Sequence, residues 1–151
     1  AIYVTMNIGA FAFILSMEKD GKPVTDIKAL GMLSKREPLK AYALLALMFS
    51  LAGVPPFVGF FGKLGVFRAA LDANLVWLAV AAGIASVIGA FYYLRIVFYM
   101  FFGDDNEGID GKMAPVAGAV FLASAAIMLV GIFNLFGIAP MALEAAQALV
   151  N

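Results

Sequence analysis

The sequence predicts an all-α fold made of polytopic membrane helices, with about four transmembrane segments. Hydrophobic residues make up 64% of the 151 residues and charged residues 13%, about half the charged share of an average soluble domain. The mean hydropathy is +1.00, and the apolar residues lie in four long stretches. A soluble domain of this size cannot hide that much apolar surface. The composition therefore excludes an ordinary water-soluble enzyme or binding module.

The residue types exclude several further classes of function. Ten lysines and arginines balance ten aspartates and glutamates, so the chain has no basic field for nucleic acid. Cysteine and histidine are both absent from the sequence. Disulfides, zinc and haem sites, cysteine-ligated iron–sulfur clusters and Ser-His or Cys-His catalysis are thereby excluded. Chemistry in this chain must use lysine, arginine, carboxylates, tyrosine, backbone groups or water.

The apolar segments are predicted at residues 1–17, 39–71, 75–102 and 113–138, followed by a short tail at 139–151. A spanning helix needs roughly 20 apolar residues. The first segment has 17 residues without a charge and opens at Ala1 without an initiator methionine. We therefore expect the chain to be the C-terminal part of a longer protein. The third segment carries only Arg95, and the fourth has no charge and is long enough to cross a bilayer.

The second segment is predicted to be a broken helix. Its 33 residues would form a helix of roughly 50 Å, whereas the hydrocarbon core of a bilayer is about 30 Å thick. Pro55 and Pro56 interrupt it, because proline removes backbone donors and disfavours helix in the residue before it. Two half-helices at about 39–52 and 57–71 are expected. Such breaks recur in transporters; the alternatives are a plain proline kink or two short re-entrant pieces.

The connections predict how the segments are oriented. The polar loop 18–38 together with Lys40 holds six of the ten basic residues. By the positive-inside rule this loop is cytoplasmic, or on the matrix side in a mitochondrion. The turn at 72–74 then lies outside, the acidic loop 103–112 inside and the C-terminus outside.

Lys63 is the leading candidate for a functional residue. It follows the double-proline break inside an apolar half-helix, where a charge costs at least about 2.5–3.5 kcal/mol and normally faces a bundle interior or a wet cavity. Burial disfavours the charged form of an amine, so a buried lysine can exchange protons near neutral pH. Glycines at 59, 62 and 65 leave room beside it. The alternative is that Lys63 snorkels to the outer interface beside Arg68.

Ser50 and Arg95 are candidate supporting residues. Ser50 precedes the break and can support water there, although a polar group in an apolar helix more often forms a helix–helix hydrogen bond. Arg95 lies in an aromatic belt at the predicted cytoplasmic end of the third segment, which is typical of an interfacial anchor. The alternative for Arg95 is a charge partner for an acidic group in another segment.

Three runs resemble a known family: MNIGAF at 6–11, FSLAGVPPFVGFFGK at 49–63 and SVIGAFYYLR at 86–95. Together they are similar to subunit N of the proton-pumping NADH:quinone oxidoreductase, respiratory complex I, whose mitochondrial counterpart is NADH dehydrogenase subunit 2. The resemblance extends over about 1–138. The central run has a general form that is shared with other antiporter-like subunits and with multisubunit cation/proton antiporters.

The resemblance implies the last four of fourteen helices, with the second segment as the broken helix of the second inverted repeat. It implies that Lys63 is the lysine of the outward-facing proton half-channel. It also implies that FMN and iron–sulfur clusters belong to other subunits and that this chain holds no cofactor. The implied partners are other membrane-arm subunits, the lipid bilayer and the missing N-terminal part of the same subunit, with no nucleic acid.

The expected function is that of a proton-translocating membrane-arm subunit, which couples NADH oxidation and quinone reduction to proton pumping. A bacterial cytoplasmic membrane is the expected location, with the mitochondrial inner membrane as the alternative. One alternative function is a subunit of a multisubunit cation/proton antiporter. A second is a structural membrane subunit without an ion path, in which Lys63 only pairs with a partner.

Overall fold

The computed structural model describes residues 2–105, 108–110 and 112–129, and these residues are mostly helical. The helices are α1 (Ile2–Ile14), α2 (Leu33–Arg36), α3 (Pro38–Ala52), α4 (Val58–Asp72), α5 (Val76–Phe102) and α6 (Pro115–Leu129). A two-stranded hairpin of β1 (Glu18–Lys19) and β2 (Lys22–Pro23) and a 3₁₀ turn, Ile27–Leu30, lie between α1 and α2. The predicted remainder of the fourth segment, 130–138, and the tail 139–151 lie outside the described residues.

α5 is the longest helix of the described residues. Its 27 residues correspond to about 40 Å, and among the described helices it alone has both the length and the apolar composition to cross a membrane. Within α5 only Met100 is buried. Large apolar side chains such as Trp77, Val87 and Phe91 are more than half exposed. A bare apolar face of this size is typical of contact with lipid or with further helices.

The predicted break in the second segment is confirmed. α3 ends at Ala52 and α4 begins at Val58, with Pro55 and Pro56 in the irregular backbone between them. The two prolines are joined by a cis peptide bond. At the other end of α3, Pro38 occupies the first helical turn, where a missing N–H costs nothing.

α3 forms the centre of the fold. Nine of its fifteen residues are buried, and after its first turn only the face of Tyr42, Leu45 and Phe49 is not. A helix that is apolar all round is one that other helices surround, and α3 packs against α1, α4 and α5. On its α1 side the core is closed by α6, where the rings of Phe13 and Phe121 lie 5.2 Å apart. This central position fixes where the end of α3, and therefore the break, lies.

The loop 18–38 is more structured than the sequence predicted. Asp20 and Gly21 both have positive φ angles and form a two-residue hairpin turn. The carboxylate of Asp26 accepts from the backbone N–H of Lys28 at 2.9 Å and so begins the 3₁₀ turn. These elements are only two to four residues long. In the sequence, pieces this short cannot be distinguished from a solvated polar loop.

The loop 18–38 and the described residues of the acidic loop, 103–105 and 108–110, lie at the same end of the helices. The backbone N–H of Asp110 donates to the carbonyl of Glu18 at 2.9 Å. Arg36 lies 3.5 Å from the carboxylate of Asp105. α5 separates the acidic loop from the turn that follows α4, so that this turn lies at the opposite end. The helices therefore have the up-and-down order that the expected orientation requires.

Candidate functional site

The C-terminal end of α3 builds the first half of the site. Gly53 follows the last helical residue with φ +82° and ψ 37°, a left-handed conformation that glycine adopts without strain. Its N–H donates to the carbonyl of Ser50 at 3.1 Å, and the N–H of Val54 donates to the carbonyl of Phe49 at 3.0 Å. This pair of bonds is the Schellman arrangement that closes many helices.

The ammonium of Lys63 binds the carbonyl that the break leaves free. In a continuous helix the carbonyl of Ala52 would accept from the N–H of residue 56, but Pro56 has none. The Nζ atom of Lys63 donates to this carbonyl at 3.0 Å. The ammonium thus lies at the negative end of the α3 dipole, which favours a cation.

Within the described part of the chain, the surroundings of Lys63 contain no matching negative side chain. Among residues 2–105, 108–110 and 112–129, no carboxylate forms an ion pair with it. The side chain is partly buried, and its Cδ would lie 2.9 Å from a Cβ atom at Gly53. Backbone carbonyls and the helix dipole therefore provide the electrostatic environment of this ammonium within the described part of the chain.

Ser50 and Gly59 form a second contact across the break. The N–H of Gly59 donates to Oγ of Ser50 at 3.0 Å, and Ser50 is fully buried. A Cβ atom at position 59 would overlap the carbonyl oxygen of Ser50. The rings of Phe49 and Phe57 add an edge-to-face contact at 5.7 Å. The two half-helices are therefore held together by backbone, hydroxyl and ring contacts.

A cleft of about 540 Å³ opens beside Lys63 between α1, α4 and α5. Its walls are mostly apolar or small, and its polar side chains are those of Tyr3, Lys63, Ser86 and Tyr93. The backbone facing the cleft includes Gly62, where a Cβ atom would meet nothing within 4 Å. The cleft therefore offers space next to the ammonium that water or another helix can occupy.

Arg95 and Arg68 lie apart from this group. Arg95 is exposed, its guanidinium lies 5.8 Å from the ring centre of Tyr99 on the same helix, and it does not line the cleft. Arg68 is exposed farther along α4. The side chain of Lys63 extends in the other direction, back towards the break, as helical side chains do. The structure thus brings Ser50, Lys63 and the proline break together, but not Arg95.

Sequence reasoning did not identify the contacts that three groups make in this site. These groups are Gly53, the carbonyl of Ala52 and Gly59. A glycine directly after the last helical residue is a known C-terminal signal and would have indicated Gly53. The other two depend on the angle between the half-helices, for which the sequence contains no local pattern.

The chain matches a family described as "NADH:quinone oxidoreductase/Mrp antiporter, TM" over residues 1–89. Subunit N of NADH-quinone oxidoreductase from Rhodobacter capsulatus is 57% identical over 150 residues, which are 99% of this chain and 31% of that protein. Subunit N from Jannaschia sp. (strain CCS1) is 56% identical over 155 residues, which cover 100% of this chain and 32% of that protein. The chain therefore spans about a third of the length of these curated relatives.

A solved structure agrees with these relatives. A chain of respiratory complex I from Thermus thermophilus, solved with bound aureothin, superposes with a TM-score of 0.76 at 29% identity. The match covers 92% of this chain and 32% of that chain. The predicted all-α membrane fold is confirmed by this neighbour and by the family match. The chain belongs to the transmembrane family of NADH:quinone oxidoreductase and Mrp antiporter subunits, as part of a subunit N.

Proposed function

We propose that this chain is the C-terminal portion of a proton-translocating subunit in the membrane arm of respiratory complex I. In that complex, NADH oxidation and quinone reduction in other subunits drive proton pumping through the membrane arm. FMN and iron–sulfur clusters belong to those other subunits. The names of the relatives support this assignment, and the observation that carries it is the contact of Lys63 with the Ala52 carbonyl at the helix break.

The geometry suits Lys63 to transient proton binding. A charged lysine has three donors and no acceptor, so it must lose a proton before it can accept one. The Ala52 carbonyl and the α3 dipole stabilise the charged form, and the apolar walls of the cleft favour the neutral form. Because no carboxylate of the described residues fixes the charge, a charge that changes nearby can decide between the two forms. In the proposal, Lys63 accepts a proton from the centre of the subunit and passes it outward.

The location follows from the same proposal. The relatives are bacterial, so the subunit resides in the bacterial cytoplasmic membrane. The loops 18–38 and 103–112 face the cytoplasm, because the first of them, together with Lys40, contains six of the ten basic residues. The C-terminus is then outside, and Lys63 lies on the half of the broken segment that leads to the outer surface.

Two other functions remain as alternatives. The family description names Mrp antiporters as well as NADH:quinone oxidoreductase, which favours a cation/proton antiporter subunit as the second candidate. Proton transport that depends on NADH oxidation would indicate the complex I subunit, whereas transport driven by a sodium gradient would indicate the antiporter subunit. A structural subunit is the third candidate, and in it the Lys63–Ala52 contact would serve only to close the break.

The decisive experiment replaces Lys63 in the intact complex. Lys63→Ala removes the proton site, and Lys63→Arg retains a positive charge that cannot be deprotonated. We expect both variants to assemble on a native gel and to lose most NADH-driven pumping. Arg68→Ala is the matched control, since it removes an exposed cation from the same helix. If Lys63→Arg pumps as the wild type does, charge alone suffices and the proton-transfer role is wrong. If neither variant assembles, the structural alternative is favoured.

A further inference from the structure

The buried hydroxyl of Ser50 takes no part in the hydrogen bonds that end α3. Ser50 is fully buried, and its Oγ accepts from the N–H of Gly59, the second residue of α4. An N-capping side chain forms this same bond, but it usually belongs to the residue directly before the helix. Here that residue is Phe57, which forms no side-chain cap. The cap of α4 therefore comes from the preceding helix.

We infer that Ser50 is a positioning residue, whose cap on α4 holds the ammonium of Lys63 at the carbonyl of Ala52. This inference rests on the proposed function of Lys63. Gly59 and Lys63 are four residues apart and lie one above the other on the same face of α4. One contacts Oγ of Ser50 at 3.0 Å and the other contacts the Ala52 carbonyl at 3.0 Å. A rigid helix that moves at Gly59 must also move at Lys63.

The two helices approach each other closely at the Ser50 hydroxyl. A Cβ atom at Gly59 would overlap the Ser50 carbonyl and lie 2.9 Å from Oγ. Both residues are buried. Without the hydroxyl, the N–H of Gly59 would have to shift towards another acceptor or remain unpaired, and an unpaired buried donor is costly. The first result changes the register between α3 and α4, and the second weakens the cap that holds α4 in place.

A contact with α6 sets the direction of the hydroxyl hydrogen of Ser50. Oγ donates to Sδ of Met128 on α6 at 3.5 Å. Sulfur is a weak acceptor, so this contact orients the hydroxyl but does little to hold it. With its hydrogen directed to Met128, the oxygen presents a lone pair to Gly59. The orientation of the cap therefore depends on three helices.

The test is Ser50→Ala in the intact complex, with assembly, NADH-driven pumping and the pH profile of pumping all measured. We expect an assembled complex that pumps roughly two- to tenfold more slowly, the effect of one lost hydrogen bond. The pH profile should change as well, since the environment of the proton-carrying group has changed. Ser50→Thr, which keeps the acceptor oxygen, should restore the wild-type profile.

Ser124→Ala is the matched control. Ser124 is the other buried serine of the described residues. It belongs to α6 and packs against Gly9 of α1, away from the break. We expect this variant to pump with the wild-type rate and profile. Wild-type rate and profile in Ser50→Ala would overturn the inference. If Ser50→Ala fails to assemble, Ser50→Cys replaces it, because sulfur is the weaker acceptor. A changed profile in that variant supports the inference, and an unchanged one overturns it.

A failure of the inference about Ser50 can be distinguished from a failure of the proposed function of Lys63. If Lys63→Ala and Ser50→Ala both pump as the wild type does, the proposed role of Lys63 fails, and the inference fails with it. If Lys63→Ala loses pumping and Ser50→Ala does not, only the inference about Ser50 fails.

Discussion

The Nζ atom of Lys63 lies 3.0 Å from the carbonyl oxygen of Ala52, although the two residues are eleven positions apart and lie on opposite sides of a helix break. The lysine supplies the donor that Pro56 lacks. The same contact therefore satisfies the backbone at the break and places a titratable group there. Any change that moves the ammonium also exposes an unpaired carbonyl, so structure and proposed function are coupled at this point.

Gly53→Ala should impair pumping more than its backbone strain explains. The positive φ of Gly53 costs an alanine roughly 1–2 kcal/mol, and the new Cβ would lie 2.9 Å from Cδ of Lys63. The ammonium is then displaced from Ala52. The measurement is NADH-driven pumping in the assembled complex. Gly21→Ala is the control, because Gly21 has a similar φ of +71° but nothing within 4 Å of its Cβ position. Equal pumping in the two variants would contradict this prediction.

Gly59→Ala should destabilise the packing of α4 on α3. The added methyl group would overlap the carbonyl of Ser50, and such overpacking costs about 1–3 kcal/mol. We expect a lower temperature of disassembly for the solubilised complex on native gels. Gly65→Ala on the same helix has open space at its Cβ position and should be neutral or slightly stabilising. A complex with Gly59→Ala that is as stable as the control would show that α4 can move away from α3.

Leu47→Ala should be among the most destabilising changes in α3. Leu47 is fully buried at the centre of the fold, and a leucine-to-alanine cavity costs about 2–5 kcal/mol. The same disassembly measurement detects this loss. Leu15→Ala, at a side chain that is 85% exposed, provides the comparison and should change stability by less than about 0.5 kcal/mol. A large effect at Leu15 would mean that another segment covers it in the complex.

Single cysteines should report which side each loop faces, since this chain has no cysteine of its own. Lys22→Cys and Asp105→Cys should react with a membrane-impermeant maleimide from the same side, because the two loops contact each other. Ala73→Cys should react from the opposite side. With intact cells, the proposed orientation requires labelling at position 73 only. Labelling of all three from one side would contradict the up-and-down order of the helices.

The sequence predicted the elements of the fold well where composition and proline decide them. The half-helices expected at 39–52 and 57–71 begin and end within about one residue of Pro38–Ala52 and Val58–Asp72. Proline chemistry alone is enough for that result. The third segment, predicted at 75–102, is the helix Val76–Phe102. The elements of the polar loop 18–38 were missed because two- to four-residue pieces leave no periodic pattern.

The site was only partly predictable for a different reason. Lys63 and Ser50 stand out in the sequence because each is polar in an apolar helix, and the cost of burying such groups makes them conspicuous. Their partners are a backbone carbonyl and a backbone N–H. Every residue offers these groups, so no side-chain pattern indicates which of them is used. The angle between α3 and α4 determines which backbone groups become the partners, and that angle depends on how the helices pack.

The caps that close the break consist of residues close together in the chain, and this has a consequence for biosynthesis. Ser50 reaches Gly59 and Lys63 reaches Ala52, which are separations of nine and eleven residues. Every partner in these two bonds has therefore left the ribosome once Lys63 has emerged, whereas Met128 lies 65 residues farther along the chain. The broken segment can complete these hydrogen bonds while it is being inserted, and it can enter the lipid as one unit despite its irregular middle. Only the contact of Ser50 with Met128 must wait for α6.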